Sequence, residues 1–521
     1  MKSNNPTNID SDRPLDSEVI DLLVVGGGIV GAGVARDGAL RGLKTKLIDQ
    51  NDFASGTSSK SSRLLHGGIR YLAQMKIGLV REASREKTVI NRIAPHLSDP
   101  LAFVFPTRRK SPWSYWKLSL GVKLYDWLCG GKNLGKSRSL NVASTLKLLP
   151  NLDQQNLTGS VRYYDGLTND ARLVLDTLRS AAASGAEIAN YTRFVDASYE
   201  NDLWTCQIQE QHSDGTSSSG EIRARCVVNA TGPWSHRLPN SETSLRLTKG
   251  VHLVIDKTKL PVPDAVVVAE GERILFAIPW GERVILGTTD TDYDGPIGAP
   301  TCTTEDQQYV LDAINRAFPV ANLVAADVIS TWAGLRPLVA DKRGNPSDIS
   351  RRHEVAMSHP GWWDVTGGKL TTYRLMGEET IDQILQHLEL GKKECATAST
   401  PLLEEKLVAA HSGNLSGILP PEVSAEAVRH YCQEEWAQHL DDVMIRRTSW
   451  RYYHREHLKI AEQVAQWMGE ALHWGSDRIQ QELNYYRAAT TNSTSGQIIP
   501  RPHFAELVSQ ATQRTHVAVK P

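Results

Sequence analysis

The chain has 521 residues, 40% of them hydrophobic and 22% charged. It is too long for one ordinary core and has the make-up of a folded protein of roughly two to four domains. A formal charge of -1 excludes broad nucleic-acid binding, because neutralising phosphate takes a strongly basic face. The scattered cysteines (Cys129, Cys206, Cys226, Cys302, Cys395 and Cys432) form no CxxC pair, which argues against a disulfide framework and for reduced thiols in the cytoplasm.

In chain order, the polar, acidic opening MKSNNPTNIDSDRPLDSE lacks the apolar stretch of a signal peptide and is expected to be a disordered tail. No run of about 18 apolar residues follows, so no spanning helix is expected, and no HExxH-type pattern suggests a metal. Residues 21–50, DLLVVGGGIVGAGVARDGALRGLKTKLIDQ, open on a short apolar run, pass through glycines into helical spacing, and close on a second strand. This is a β-α-β unit with buried parallel strands. Residues 51–75, rich in Ser and Gly, read as an extended, ligand-facing connection. Helical stretches broken by prolines are predicted across 80–128 and a helix over 173–184, with strands near 186–197, 203–210 and 226–232. LTKGVHLVI, RILFAIPW and RVILGTTD, between 245 and 295, read as antiparallel strands, and 364–381 as strand, glycine turn and helix. Beyond about 390 the composition shifts, and Leu458, Ala461, Ala465, Met468 and Leu472 fall on one helical face.

In GGGIVGAG, Gly26, Gly28 and Gly31 satisfy G-x-G-x-x-G. The first permits a tight turn, the second lets backbone approach a pyrophosphate, and the third lets helix pack on strand. The helix N-terminus then offers unpaired N–H groups to phosphate. Asp49 closes the next strand 18 residues after Gly31, near the spacing expected of a carboxylate that binds a ribose hydroxyl. A nicotinamide enzyme would continue into a second Rossmann half. Here the unit runs into TSSKSSRLLHGGIRYL, whose hydroxyls suit the longer pyrophosphate and ribityl surface of FAD. ATG at 230–232 and GGKLTTYR at 367–374 add glycine turns that can approach a flat ring.

VVGGGIVGAGVARDGALRGL, TSSKSSRLLHGGIRYL, VVNATGPW, LTKGVHLVI, IPWGERVILGTTD, WAGLRPL and GGKLTTYR occur in this order over about 19–382, with RRTSW at 446–450. Together they resemble the FAD-dependent, aerobic, quinone-linked sn-glycerol-3-phosphate dehydrogenases. The resemblance implies an α/β fold: a Rossmann-like FAD domain with p-hydroxybenzoate-hydroxylase-like topology, a β-rich substrate domain and a C-terminal helical domain. The FAD-binding parts are expected at about 19–75, 155–235 and 330–390, the substrate domain at about 76–154 and 236–329, and the helical domain at 391–521. It also implies oxidation of glycerol 3-phosphate to dihydroxyacetone phosphate, with electrons passing to ubiquinone or menaquinone.

The same resemblance assigns residues. Arg70, Tyr71, Arg336 and Lys369 match substrate-gripping positions, three cations and a phenol suited to a dianionic phosphate. Arg336 is expected nearer the flavin and the developing alkoxide, and Thr288 of GTTD as a further substrate contact. His252 is the first candidate for the base that takes the C2 hydroxyl proton, with His66 beside the flavin the second. Gly26, Gly28, Gly31, Asp49, Ser58, Ser61, His66, Gly232 and Gly368 are expected to hold FAD, with Val195 presenting backbone to the adenine.

RRKSPWSYWKLSLGVKLYDWLCGGK, residues 108–132, mixes basic residues with Trp and Tyr, a composition that suits an anionic membrane surface. An amphipathic helix packed on a neighbouring domain would look the same. The expected setting is cytoplasmic, peripheral to the inner face of the cytoplasmic membrane, and a homodimer is expected by family analogy. Two alternatives stand beside this reading: an oxygen-using oxidase of glycerol 3-phosphate or an amino acid, and a flavin-binding regulator without turnover.

Overall fold

The computed structural model describes residues 18–68, 77–128, 133–212, 215–271, 273–339, 353–403 and 415–491. Its centre is β1 (Ile20–Val25), followed by α1 (Ile29–Leu40) and β2 (Thr45–Ile48). β1 pairs in parallel with β2 on one side and with Ser217–Asn229 on the other. The sheet runs Glu354–His359, Trp362–Thr366, Ser217–Asn229, β1, β2, Glu187–Ala189, and the antiparallel strands Thr192–Glu200 and Leu203–Gln211 extend it from Ser217–Asn229. The LLVV run is apolar throughout because both faces are covered. Leu22 and Val24 pack under the helices, Leu23 and Val25 against Trp204 and Trp362. α1 meets the helix Tyr373–His387 backbone to backbone. A Cβ on Gly33 would lie 2.9 Å from the Tyr373 carbonyl, and one on Gly377 would lie 2.7 Å from Gly33.

A second sheet is built on Leu245–Asp256, which pairs antiparallel with both Arg283–Gly287 and Val328–Val339. It continues through Arg273–Trp280, Ala265–Glu270, Asp99–Arg108 and Leu157–Leu167 to Leu64–Leu65. This corrects the helical reading of 80–128. Two helices, Ile77–Ile93 and Tyr115–Leu128, flank a ten-residue strand, Asp99–Arg108. Phe103, Val104 and Phe105 drive it into the core. Its prolines, Pro100 and Pro106, are tolerated because only Phe103 and Val104 have a neighbour on the Ala265–Glu270 side.

The C-terminal helices Ala425–Glu434, His457–Leu472 and Ser476–Thr491 close their own core. Ala461, Ala465 and Met468 lie on the buried face as expected, but Leu458 is 42% exposed, because the face is completed by Val464 instead. Buried charges tie this region to the first sheet. Asp52, after β2, accepts from Arg446 and Arg447, and Arg172 forks onto Glu435 at 2.5 and 2.8 Å. The fold class is the expected one, α/β with a C-terminal helical region.

Candidate active site

The glycine turn leaves the end of β1. Gly26 has φ 112°, a region open to glycine, and a Cβ there would lie 2.7 Å from Ala230 O. A Cβ on Gly31 would lie 1.9 Å from Gly26 O, so α1 starts directly on the strand it follows. Gly28 precedes α1 with extended backbone and no side-chain cap, and the Ile29 N–H donates to Ser58 Oγ at 3.0 Å. Asp49 accepts from the Gly27 and Asn51 N–H groups at 2.7 and 2.8 Å. Burial pushes its pKa up to about 7, against the pull of those donors.

Beside Ile29 opens a cavity of about 860 Å³. Ser58, Ser61 and His66, which follow β2, line it together with Gly368 and Lys369, which follow Trp362–Thr366. His252, Thr288 and Arg336 line it from the second sheet. Gly26, Gly28, Gly31, Asp49, Val195 and Gly232 are not on its wall. Val195 sits at the bulge between Phe194 and Asp196, with its side chain exposed. Gly232, with φ 57°, follows Thr231, whose backbone abuts Gly26. Arg70 and Tyr71 lie outside the described residues.

Arg336 is held in a fixed fork. Its Nη1 donates to Thr289 O and Asp290 Oδ1, both at 3.2 Å, and its Nη2 to Thr288 Oγ1 at 3.0 Å. The guanidinium lies against Gly250, where a Cβ would come within 2.3 Å of Nη2. Lys369 precedes the short turn Leu370–Thr372. Thr371 Oγ1 accepts from the His66 N–H at 3.2 Å, which joins the Gly67–Gly68 turn to the Gly367–Gly368 turn.

His252 is almost wholly buried. Its Nε2 pairs with Ser62 Oγ at 2.8 Å, and its ring stacks on Trp332, 5.2 Å between centroids and 19° between planes. Burial first, then the charges of Arg336 and Arg63, push its pKa down to about 3, so the imidazole is neutral at physiological pH. A neutral ring can accept a proton. An anion bound beside Arg336 raises its basicity by offsetting the positive field.

The family model for FAD dependent oxidoreductases matches residues 21–382, and that for the C-terminal domain of alpha-glycerophosphate oxidase matches 406–479. The chain is 38% identical over 398 residues to an aerobic glycerol-3-phosphate dehydrogenase of Staphylococcus saprophyticus, covering 74% of this chain and 71% of that protein. It is 37% identical over 412 residues to one from Staphylococcus aureus, covering 78% and 73%. The chain belongs to the aerobic glycerol-3-phosphate dehydrogenase family. A solved glycerol-3-phosphate dehydrogenase of Bacillus halodurans, complexed with FAD, matches 93% of this chain and 97% of its own at 28% identity and a TM-score of 0.74. An L-alpha-glycerophosphate oxidase of Mycoplasma pneumoniae shares the fold, with a TM-score of 0.56 at 17% identity.

As in the rest of this FAD-dependent dehydrogenase family, the cofactor is FAD. The residues fit it. A Cβ at Gly26 or Gly31 would strike backbone, so only glycine lets the turn run this close under the N-terminus of α1, and at Gly28 no atom but Ser58 Oγ lies where a Cβ would point. The carboxylate of Asp49 is already fixed beside that turn. Sequence reading missed several neighbours. Trp332 and Asp290 fall inside the quoted WAGLRPL and GTTD motifs, where their contacts could not be seen. Lys60, on the cavity wall, has its pKa pushed down to about 8 by burial, with Arg446 and Arg451 adding to the effect. Nothing in SSRLL marks Arg63 as buried.

Proposed function

We propose that this protein oxidises sn-glycerol 3-phosphate to dihydroxyacetone phosphate and hands the electrons to a membrane quinone, ubiquinone or menaquinone. Bound FAD would supply the acceptor for the C2 hydride and the relay for the electron pair. The chain's own residues do the rest. Lys369, with Arg70 and Tyr71, holds the phosphate. Arg336 and Thr288 steady the C2 oxygen as its charge grows. His252, neutral and bonded to Ser62, takes the hydroxyl proton. Ser58, Ser61, His66, Gly232, Gly368, Asp49 and the glycine turn hold the cofactor, with Val195 at the adenine end. The observation that supports this most is convergence. Arg336, Lys369, Thr288 and His252, far apart in sequence, line the same cavity as Ser58 and His66.

The quinone reading is supported by the helix Tyr115–Leu128. Trp116, Leu120 and Trp127 are 65, 63 and 74% exposed, on one side of that helix, with Lys117 and Lys123 exposed nearby. Amphipathic aromatic and basic residues so arranged suit the interface of an anionic bilayer. Not all of 108–132 belongs to this face. Arg108 pairs with Asp153 at 2.7 Å, and Trp113 packs on Phe105. No helix among the described residues is long and apolar enough to cross a membrane.

The test is anaerobic titration of the yellow holoprotein with glycerol 3-phosphate. Wild type should bleach stoichiometrically. Arg336→Ala should retain FAD and bleach about a hundredfold or more slowly, the usual loss when a preorganised donor to a developing oxyanion is removed. Bleaching at the wild-type rate in Arg336→Ala would exclude its assigned role.

A further inference from the structure

The wall behind His252 contains a buried cation that the steps above leave unused. Arg63 is 2% exposed, and its guanidinium lies 4.4 Å from the ring centre of Trp280 and 5.4 Å from that of Trp332. Its Nη2 donates to Ser449 Oγ at 3.0 Å. The nearest carboxylate, Asp170, is at 4.0 Å, and Nε and Nη1 have no hydrogen-bond partner. Both Arg63 and Ser449 adopt left-handed backbone, φ 56° and 61°, a conformation that non-glycine residues adopt at a cost and that clusters at functional sites. A buried guanidinium with two nitrogens lacking hydrogen bonds and an ion-pair partner only at 4.0 Å is expensive, and an apolar side chain of similar length would fill the space with less penalty. Packing alone therefore does not account for an arginine here.

What the cation touches leads to the candidate base. Trp332 faces Arg63, stacks flat on the His252 imidazole, and donates its indole N–H to Ser61 O at 3.1 Å. Trp332 and His252 are direct cross-strand partners. Tyr452, from the C-terminal helical region, packs on the same indole at 5.1 Å. We infer that Arg63, seated by Ser449 of the helical region, is a positioning residue for His252. It clamps Trp332 against the imidazole, fixes the plane of that ring at the cavity wall, and adds positive charge behind it. Among the described residues, the charged groups that act on His252 are Arg336, with Asp290 beyond it, on the cavity side, and Arg63, with Asp170 beyond it, on the other. The C-terminal region thus completes the active site and does more than cover it. This inference rests on the reading of His252 as the base.

The experiment compares Arg63→Met and Arg63→Lys holoenzymes with wild type in anaerobic stopped-flow flavin reduction across pH. Titration of the His252 ring by NMR of histidine-labelled protein runs in parallel. Arg63→Met should keep its FAD spectrum and its KM for glycerol 3-phosphate, while flavin reduction slows about tenfold, a fraction of what a general base contributes. Removing a positive charge favours the imidazolium, so the acidic limb of the rate profile and the ring titration should both move up by about one pH unit. Arg63→Lys should restore most of both. If Arg63→Met melts earlier but leaves rate, acidic limb and ring titration at wild-type values, the residue is structural and the inference falls. Should Arg63→Met not fold, Ser449→Ala removes only the seat. It should reproduce the slowed reduction in part, and a wild-type rate and ring titration there would equally overturn the proposal. Failure of the underlying reading looks different: His252→Gln would reduce flavin normally while the NMR shift in Arg63→Met persists.

Discussion

At the scale of single residues, a glycine makes room for the cation at the centre of the site. Gly250 lies opposite Gly334 in the Leu245–Asp256 and Val328–Val339 pair, and its missing side chain is where the Arg336 guanidinium rests. Gly250→Ala would not meet rigid backbone, since the nearest atoms belong to the far end of a flexible arginine. The protein should therefore fold and bind FAD, with Arg336 pushed off Thr288 and Asp290. Misplacing one charge-assisted contact costs about 1.5–3 kcal/mol, or roughly ten- to a hundredfold in kcat/KM for glycerol 3-phosphate. Steady-state kinetics with FAD content as the control would measure it, and a kcat/KM unchanged in a flavin-replete variant would show that Arg336 does not depend on this gap.

At the scale of elements, the helix Tyr115–Leu128 has two faces with separate duties. Leu118, Val122, Tyr125 and Leu128 are buried. The Tyr125 hydroxyl donates to Asp165 at 2.5 Å and accepts from the Gly67 N–H at 3.1 Å, and the buried Lys87 ammonium donates to the same hydroxyl and carboxylate. That face fixes the HGG turn beside the cavity, and a Cβ on Gly67 would lie 2.2 Å from the Tyr125 hydroxyl. The opposite face carries Trp116, Leu120 and Trp127. Because the two faces do not share residues, the double variant Trp116→Ala/Trp127→Ala should bleach with glycerol 3-phosphate at the wild-type rate in solution. It should also lose about tenfold or more in co-sedimentation with phosphatidylglycerol-containing vesicles, the burial of two aromatic rings being worth well over 1 kcal/mol. Equal sedimentation of variant and wild type would remove this helix as the membrane contact.

At the scale of the molecule, the glycine turn, Asp49 and the flanking strands were readable because buried parallel strands and a dinucleotide cradle leave a dense local signature. The strand Asp99–Arg108 was not, since its prolines imitate helix breaks and its partner Leu157–Leu167 lies far along the chain. Arg336, Lys369 and His252 could be named from motifs, whereas Arg63 and Trp332 act through contacts that only folding creates. The join to the C-terminal helices was equally silent. RRTSW shows two arginines, but the acid they seek is Asp52, almost four hundred residues earlier. Burial alone would raise the Asp52 pKa, and Arg447 and Arg446 together outweigh it and hold it below the ordinary 3.8. A carboxylate depressed in this way contributes stability above its unfolded pKa and loses it only as pH falls through the folded value, so the tie is complete throughout the neutral range. Asp52→Asn would leave Arg447 with neutral acceptors alone, the amide oxygen and the Glu435 carbonyl, while Arg446 keeps Asp441 and Asp442. Uncompensated buried charge of this kind costs about 3–5 kcal/mol. The loss should appear as faster hydrogen exchange in Ala425–Glu434 and Asp442–Arg447 at neutral pH, with the β1–α1–β2 unit unchanged. Because Ser449 follows the same arginines, flavin reduction should slow along with it. Uniform exchange across both regions, or a variant as stable as wild type, would mean that the helical region is held by its apolar contacts instead.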